Sequence, residues 1–183
     1  MCLKLYFLIY TMVILQSCGQ DNHTRTYRLP KSAVPPQVEN IKKTQSSIFS
    51  WKKPDSWIPS SGSSMRIASF EIPYIGGMGD LSVIQLGGKG GGFEPNINRW
   101  RKQLNLEPQS LSEIEKDIIK QKGELGEYKM IKIVNTQNNL AFLAAIIPVE
   151  NQTLFVKLSA NLSGIKKAEL DFVSFCSSIH FAH

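Results

Sequence analysis

Cysteine and histidine are scarce in this 183-residue chain, at three of each. That is too few for a disulfide scaffold and a poor basis for a four-ligand zinc site. No apolar run approaches the roughly 20 residues that carry a helix across a bilayer, which excludes a polytopic membrane protein. The chain also lacks a Gly-x-Ser-x-Gly elbow, a His-Glu-x-x-His pair and a Cys–His–Asp signature, and it shows no internal repeat. What remains is 42% hydrophobic and 20% charged, the composition of an ordinary globular protein. Its length supports one domain and excludes a multidomain enzyme or a long repeat array.

The amino terminus is the most informative segment. After Met1-Cys2-Leu3-Lys4, the run from Leu5 to Leu15 is apolar apart from Thr11. An eleven-residue apolar run behind one positive charge suits the core of a signal peptide, and it lacks the polar face of a soluble helix. Leu15-Gln16-Ser17-Cys18 then resembles the lipobox of bacterial lipoproteins: an aliphatic residue, a tolerated position, a small residue and cysteine. Gln16 is less usual at its position than a small or aliphatic residue. The resemblance implies a diacylglyceryl group on the Cys18 thiol, cleavage before Cys18 and acylation of the new amino terminus, with palmitate-type chains holding the protein on a membrane. Ordinary secretion with a free Cys18, or an uncleaved anchor, are the alternatives. Gly19 in place of an acidic residue implies, by the same resemblance, the outer membrane over the inner one in a Gram-negative cell. Two or three acyl chains give stable attachment where one is marginal.

The sequence thus divides into a lipoprotein signal peptide at 1–17, a flexible tether at 18–47 and an α+β domain at 48–183. The tether reading rests on polar composition with Pro30, Pro35 and Pro36 and a single aromatic, Tyr27. Processing removes Lys4 and no acid, so the mature chain stays basic, one charge below the +6 of the whole. Its lysines and arginines are scattered, without the clustered, aromatic-interleaved pattern of a nucleic-acid surface. They are a solvated surface in the plainest reading, and adhesion to an anionic envelope polymer or lipid is the functional one. Cys176 would then be the sole free thiol. Phe172, Val173, Phe175 and Ile179 around it mark a packing position, although Cys176 and His180 at i, i+4 could share a helical face as a nucleophile–base pair.

Alternation at period two predicts strands at Met65–Ile72 and Asp80–Leu86. Three further strand candidates follow at 126–134, 140–149 and 153–160, set off by the turn-like Asn138-Asn139 and Glu150-Asn151-Gln152. Glu94-Pro95-Asn96 opens a helix whose Ile97, Trp100 and Leu104 form one stripe. Ser110–Gln121 reads as a second helix, with Ser112 and Glu115 as a capping box and Ile114, Ile118 and Ile119 as its face. A third helix, 164–179, is amphipathic through Ile165, Ala168, Phe172, Phe175, Cys176 and Ile179. The order gives an antiparallel sheet flanked by helices.

Eight of the thirteen glycines lie between Gly76 and Gly92, the densest run being Gly87-Gly88-Lys89-Gly90-Gly91-Gly92. Strand, glycine loop and helix is a phosphate-cradling order. Lys89 is followed by Gly90 and not by Ser or Thr, so the P-loop pattern fails. A tight turn is the plain reading, and another anion or polar ligand the functional one. The run Gly90-Gly91-Gly92-Phe93-Glu94-Pro95-Asn96-Ile97-Asn98-Arg99-Trp100-Arg101-Lys102-Gln103-Leu104 resembles a family of uncharacterised bacterial lipoproteins with a Gly-Gly run before Asn-x-Asn-Arg-Trp-Arg-x-Gln-Leu. Trp51, Pro54, Trp57, Met65-Arg66-Ile67-Ala68, Leu154–Leu158 and the phenylalanine-rich last helix extend the likeness. It implies location and fold and carries no established activity. The element order is also similar to the α/β/α sandwich of PsbP-like proteins, typically non-enzymatic assembly or binding factors.

Trp100 is expected in the core. Asn96 or Asn98 is expected to cap the glycine loop through backbone amides, and Arg99 and Arg101 to be free for an acidic partner. Lys89, Asn96, Asn98, Arg99 and Arg101 are therefore the candidate ligand or partner surface, with no catalytic residue, metal or cofactor expected. The function these readings support is a lipid-anchored, non-catalytic binding or assembly module of the bacterial envelope, attached through Cys18 and facing an unknown envelope protein or polymer. The alternative is a small envelope hydrolase using groups such as Glu71, Asp80 or His180.

Overall fold

The computed structural model describes residues 48–182. The segments expected to be a signal peptide (1–17) and a tether (18–47), Cys18 included, lie outside the described residues.

Nine strands form. A short ribbon pairs β1 (Phe49–Ser50) with β9 (His180–Phe181), and a seven-stranded antiparallel sheet holds the rest. Its members are β2 (Ile58–Pro59), β3 (Arg66–Tyr74), β4 (Gly77–Gly87), β5 (Ile119–Gly123), β6 (Gly126–Asn135), β7 (Leu140–Val149) and β8 (Gln152–Ala160), in the spatial order β2-β3-β4-β8-β7-β6-β5. After the β3–β4 hairpin the chain crosses one face as α1 (Phe93–Gln103), the single turn α2 (Leu111–Ile114) and a 3₁₀ turn at Glu115–Asp117. It enters the sheet at the far edge and meanders back until β8 pairs with β4. The long helix α3 (Leu162–Ser177) then covers the opposite face. The fold is α+β, a helix–sheet–helix sandwich as the pattern of elements predicts.

Alternation within the strands sorts the core into two layers. Leu81, Val83, Leu143, Ala145, Leu154, Val156 and Leu158 face α3, with its Ile165, Ala168, Phe172 and Phe175. Ile131, Ile133, Phe142, Ala144 and Phe155 face α1, with its Ile97, Trp100 and the following Leu104. Trp100 is buried with its ring edge-on to Phe155. Helix α1 carries Glu94 in its first turn and Arg101 and Lys102 in its last, matching the helix dipole. It stops where Asn105 turns left-handed at φ 56°. Helix α3 begins at Asn161, whose side chain accepts from the Gly164 amide at 2.8 Å.

Two expectations for the connecting segment are corrected. Ser110–Gln121 is not one helix: a single α turn and a 3₁₀ turn give way to β5, an edge strand whose residues pair with β6. Ile114 is buried and Ile118 half-buried, but Ile119 is exposed on that strand. The capping box is Ser110 with Glu113, two residues earlier than Ser112 with Glu115, and those bonds hold the Glu113 carboxyl below the usual range. Likewise Cys176 and His180 do not share a helical face, because α3 ends at Ser177 and His180 lies in β9. Cys176 is buried, and that burial pushes its thiol well above the ordinary value.

Phe175 is the hub of the α3 layer. Its ring centroid lies 5.1 Å from Trp57, 5.7 Å from Phe70 and 5.9 Å from Trp51. Phe175→Ala should lower unfolding free energy by about 3–5 kcal/mol in denaturant titration. Iodoacetamide at about pH 8 should leave Cys176 unmodified in the native protein and alkylate it in denaturant, as read by peptide mapping.

Candidate functional site

The α1 face is the functional candidate, because that helix covers the middle of its sheet face and leaves a cleft on either side. The glycine loop shapes one wall. Gly88, Gly90, Gly91 and Gly92 all take positive φ, and a Cβ at Gly90 would stand 2.4 Å from the Phe155 ring. Glycine is thus required where the loop lies against the sheet.

Buried Asn96 ties this loop to the helix. Its Nδ2 donates to the Gly90 carbonyl at 2.8 Å and to the Gly92 carbonyl, while its Oδ1 accepts from Arg99 Nη2. The loop is therefore clamped through carbonyls, not through amides as expected. Asn98 acts elsewhere: its amide exchanges two hydrogen bonds with the backbone of Gln109, at 2.9 and 2.8 Å, and fixes the segment after α1. Arg101 Nε donates to the Glu107 carbonyl at 2.7 Å. Neither Arg99 nor Arg101 holds a carboxylate among the described residues. The bidentate pair is Arg66 with Asp80, at 2.9 and 3.0 Å.

Of the five candidates, Asn96 and Arg99 meet directly and Lys89 stands exposed on the loop that Asn96 holds. Asn98, in the middle of the helix, and Arg101, in its last turn, instead bond the segment that follows it. The first cleft, about 510 Å³, lies between the glycine loop, the start of α1 and the β5–β6 edge. Phe93, Ile146, Pro148 and Phe155 give it an apolar floor, and Lys89, Lys120 and Lys129 bring ammonium groups to it. The Lys129 ammonium sits 4.4 Å from the centroid of the Phe93 ring. The second cleft, about 240 Å³, shares Phe155 and carries Arg66, Arg99 and Lys157 beside Trp100. There Lys157 Nζ donates to Gln103 Oε1 at 2.8 Å and lies 4.3 Å from the Phe142 ring centroid. Burial, then the Arg66 guanidinium, hold this lysine below its usual pKa; Asp80 opposes and Arg99 adds.

Lys120 and Lys129 were not candidates from the sequence. They are exact register partners across β5 and β6, so two like charges stand directly opposite each other, an arrangement that destabilises a sheet. The signal that could have found them is period two extended into β5. Among the described residues the ion pairs are Arg66–Asp80 and Lys132–Glu169, neither at this cleft. One acid, Glu127, lines it, with Lys122 as its own register partner.

No family model matches the chain, and no curated protein matches it. Among solved structures it is similar to a protein from Bacteroides thetaiotaomicron, at 13% identity and TM-score 0.46, over 74% of this chain and 46% of that one. The matched region thus spans about half of that protein. The chain is also similar to the cyanobacterial PsbP protein CyanoP of Synechocystis, at 15% identity and TM-score 0.49 over 74% and 87%. A third likeness is to LpqN of Mycobacterium tuberculosis, described as involved in cell envelope biogenesis, at 12% identity and TM-score 0.41 over 74% and 83%.

Replacing Lys120 by Thr removes the like-charge pair and introduces a better strand former. It should raise unfolding free energy by roughly 0.2–1 kcal/mol, with the gain shrinking as salt is added. Thermal unfolding at low and high ionic strength checks this.

Proposed function

We propose that this chain is a non-catalytic binding module of the bacterial cell envelope, held at a membrane by lipid on Cys18. The observation that carries the reading is the α1 face: an apolar-floored cleft with lysines around it, built on a rigid sheet. Pockets of this volume with a few convergent polar groups are the usual form of a small-molecule site. The lipobox-like Leu15-Gln16-Ser17-Cys18 and the Asn98-Arg99-Trp100-Arg101 stretch support membership of the lipoprotein family resembled above, and Gly19 supports the outer membrane.

The groups available to a hydrolase are engaged or apart. Asp80 is paired with Arg66, Cys176 is buried, and His180 Nδ1 lies 2.8 Å from the Ser178 carbonyl oxygen. One feature favours the hydrolase reading: Glu71 and Asp80 are register partners on β3 and β4, so two carboxylates share one exposed patch.

The denatured intact mass of protein extracted from its own membranes tests the anchor. The expected species begins at Cys18 and carries two or three acyl chains. An unprocessed chain, or one cut elsewhere without lipid, would overturn it. A panel of ester, glycoside and peptide substrates is expected to show no turnover. Turnover abolished by Glu71→Gln or Asp80→Asn would replace the binding reading with the hydrolase.

A further inference from the structure

We infer that the cleft beside the glycine loop takes a single-chain amphiphile with a phosphate or carboxylate head, its chain on the Phe93–Ile146–Phe155 floor and its head between Lys120 and Lys129. The assignment rests on the binding-module reading and gives that module its ligand class.

Three observations point to this chemistry. First, Lys120 and Lys129 are opposed across β5–β6 with no ion pair among the described residues. A sheet gains nothing from two ammonium groups held opposite each other, and an anion bridging them turns the repulsion into two attractions. Second, a charged small molecule alone has no use for the floor. Phe93, Ile146, Pro148 and Phe155 form an apolar surface that continues from the lysines toward the centre of the sheet. Third, Lys89 approaches from the glycine loop, whose shape Asn96 fixes from within the helix. Ammonium groups thus come to the cleft from two separate elements, the loop and the β5–β6 edge. Glu127 offsets one of the three charges, which suits a head of one or two negative charges.

The test uses the full-length protein, purified from its membranes and placed in phosphatidylcholine nanodiscs, with empty discs as the blank. Octyl phosphate, octanol and inorganic phosphate are titrated by calorimetry, the amphiphile below its micelle concentration. Octyl phosphate is expected to saturate at least tenfold more tightly than either half-molecule. Octanoate in place of octyl phosphate separates the two heads: either head binding at least tenfold better than octanol supports the assignment. The variant Lys120→Gln/Lys129→Gln is expected to weaken octyl phosphate at least tenfold and leave octanol unchanged. Its ligand-free Tm, equal to or above that of the parent, shows that it folds. Lys166→Gln/Lys167→Gln, which removes the same charge from exposed positions on α3, is expected to change nothing.

Inorganic phosphate binding as tightly as octyl phosphate would overturn the amphiphile in favour of a simple anion site. Octanol binding equally well would remove the role of the lysines. Equal weakening by the α3 variant would reduce the effect to overall charge. An acylated chain starting at Cys18 that takes no octyl phosphate overturns the groove and keeps the anchor. An unprocessed chain that binds it does the reverse.

Discussion

Strands β7 and β8 are buried on both faces, and most of the molecule follows from that. A strand inside a sheet has its backbone groups paired sideways, so only its faces remain to be covered. Leu143, Ala145 and Ile147 point to one side of β7, Phe142 and Ala144 to the other, and all five are buried. Each side therefore needs an apolar helix. The covers are unequal: α3 has sixteen residues and α1 has eleven. An eleven-residue helix is about 16 Å long and about 10 Å wide, while seven strands spread across roughly 29 Å. Helix α1 can cover only the middle of its face, and the strips beside it become the two clefts.

The polar residues of α1 are spent on holding its surroundings. Asn96 grips the glycine loop, Asn98 the backbone at Gln109, Arg101 the carbonyl of Glu107, and Arg99 braces Asn96. Trp100, between them in sequence, points the other way into the core. The Asn-Arg-Trp-Arg stretch thus sets the shape of its neighbours more than it presents a surface. Buried Asn96 is satisfied on both ends of its amide, the condition under which a buried polar group fixes one conformation. The loop it holds forms a cleft wall, so the stretch reaches the site through architecture.

The sheet was legible because β3 and β4 alternate at period two, while β6, β7 and β8 are apolar-rich runs set off by clear turn residues. Asn139 and Glu150, in the two separators of the meander, do turn left-handed, at φ 51° and 47°. Helices α1 and α3 were legible from their apolar stripes. The segment 110–121 was not: Ile114, Ile118 and Ile119 fit helical spacing, yet from Ile119 onward the backbone pairs with β6, and tertiary pairing overrides local helix spacing. Ribbon β1–β9 joins residues 130 and 132 apart, beyond any local pattern. Of the cleft, Lys89 was legible through its glycine context, while Lys120 was hidden by the same misread helix. Placing β5 as a strand is what brings Lys120 opposite Lys129.

The division of labour between floor and lysines follows from magnitudes. Exposed ammonium groups near a surface contribute about 1 kcal/mol each toward an anionic lipid, and salt screens them over about 8 Å. Three such groups, one offset by Glu127, orient a head and favour anions without holding a small ion firmly. Each methylene removed from water contributes about 0.8 kcal/mol and is not screened. Eight carbons on the floor therefore outweigh the net charge in affinity, while the charge decides which end sits at the β5–β6 edge. A free phosphate would use the lysines and leave Phe93 and Phe155 idle; a neutral lipid would do the opposite. An amphiphile uses both: its head meets two lysines that form no ion pair among the described residues, and its chain meets the apolar floor beside them.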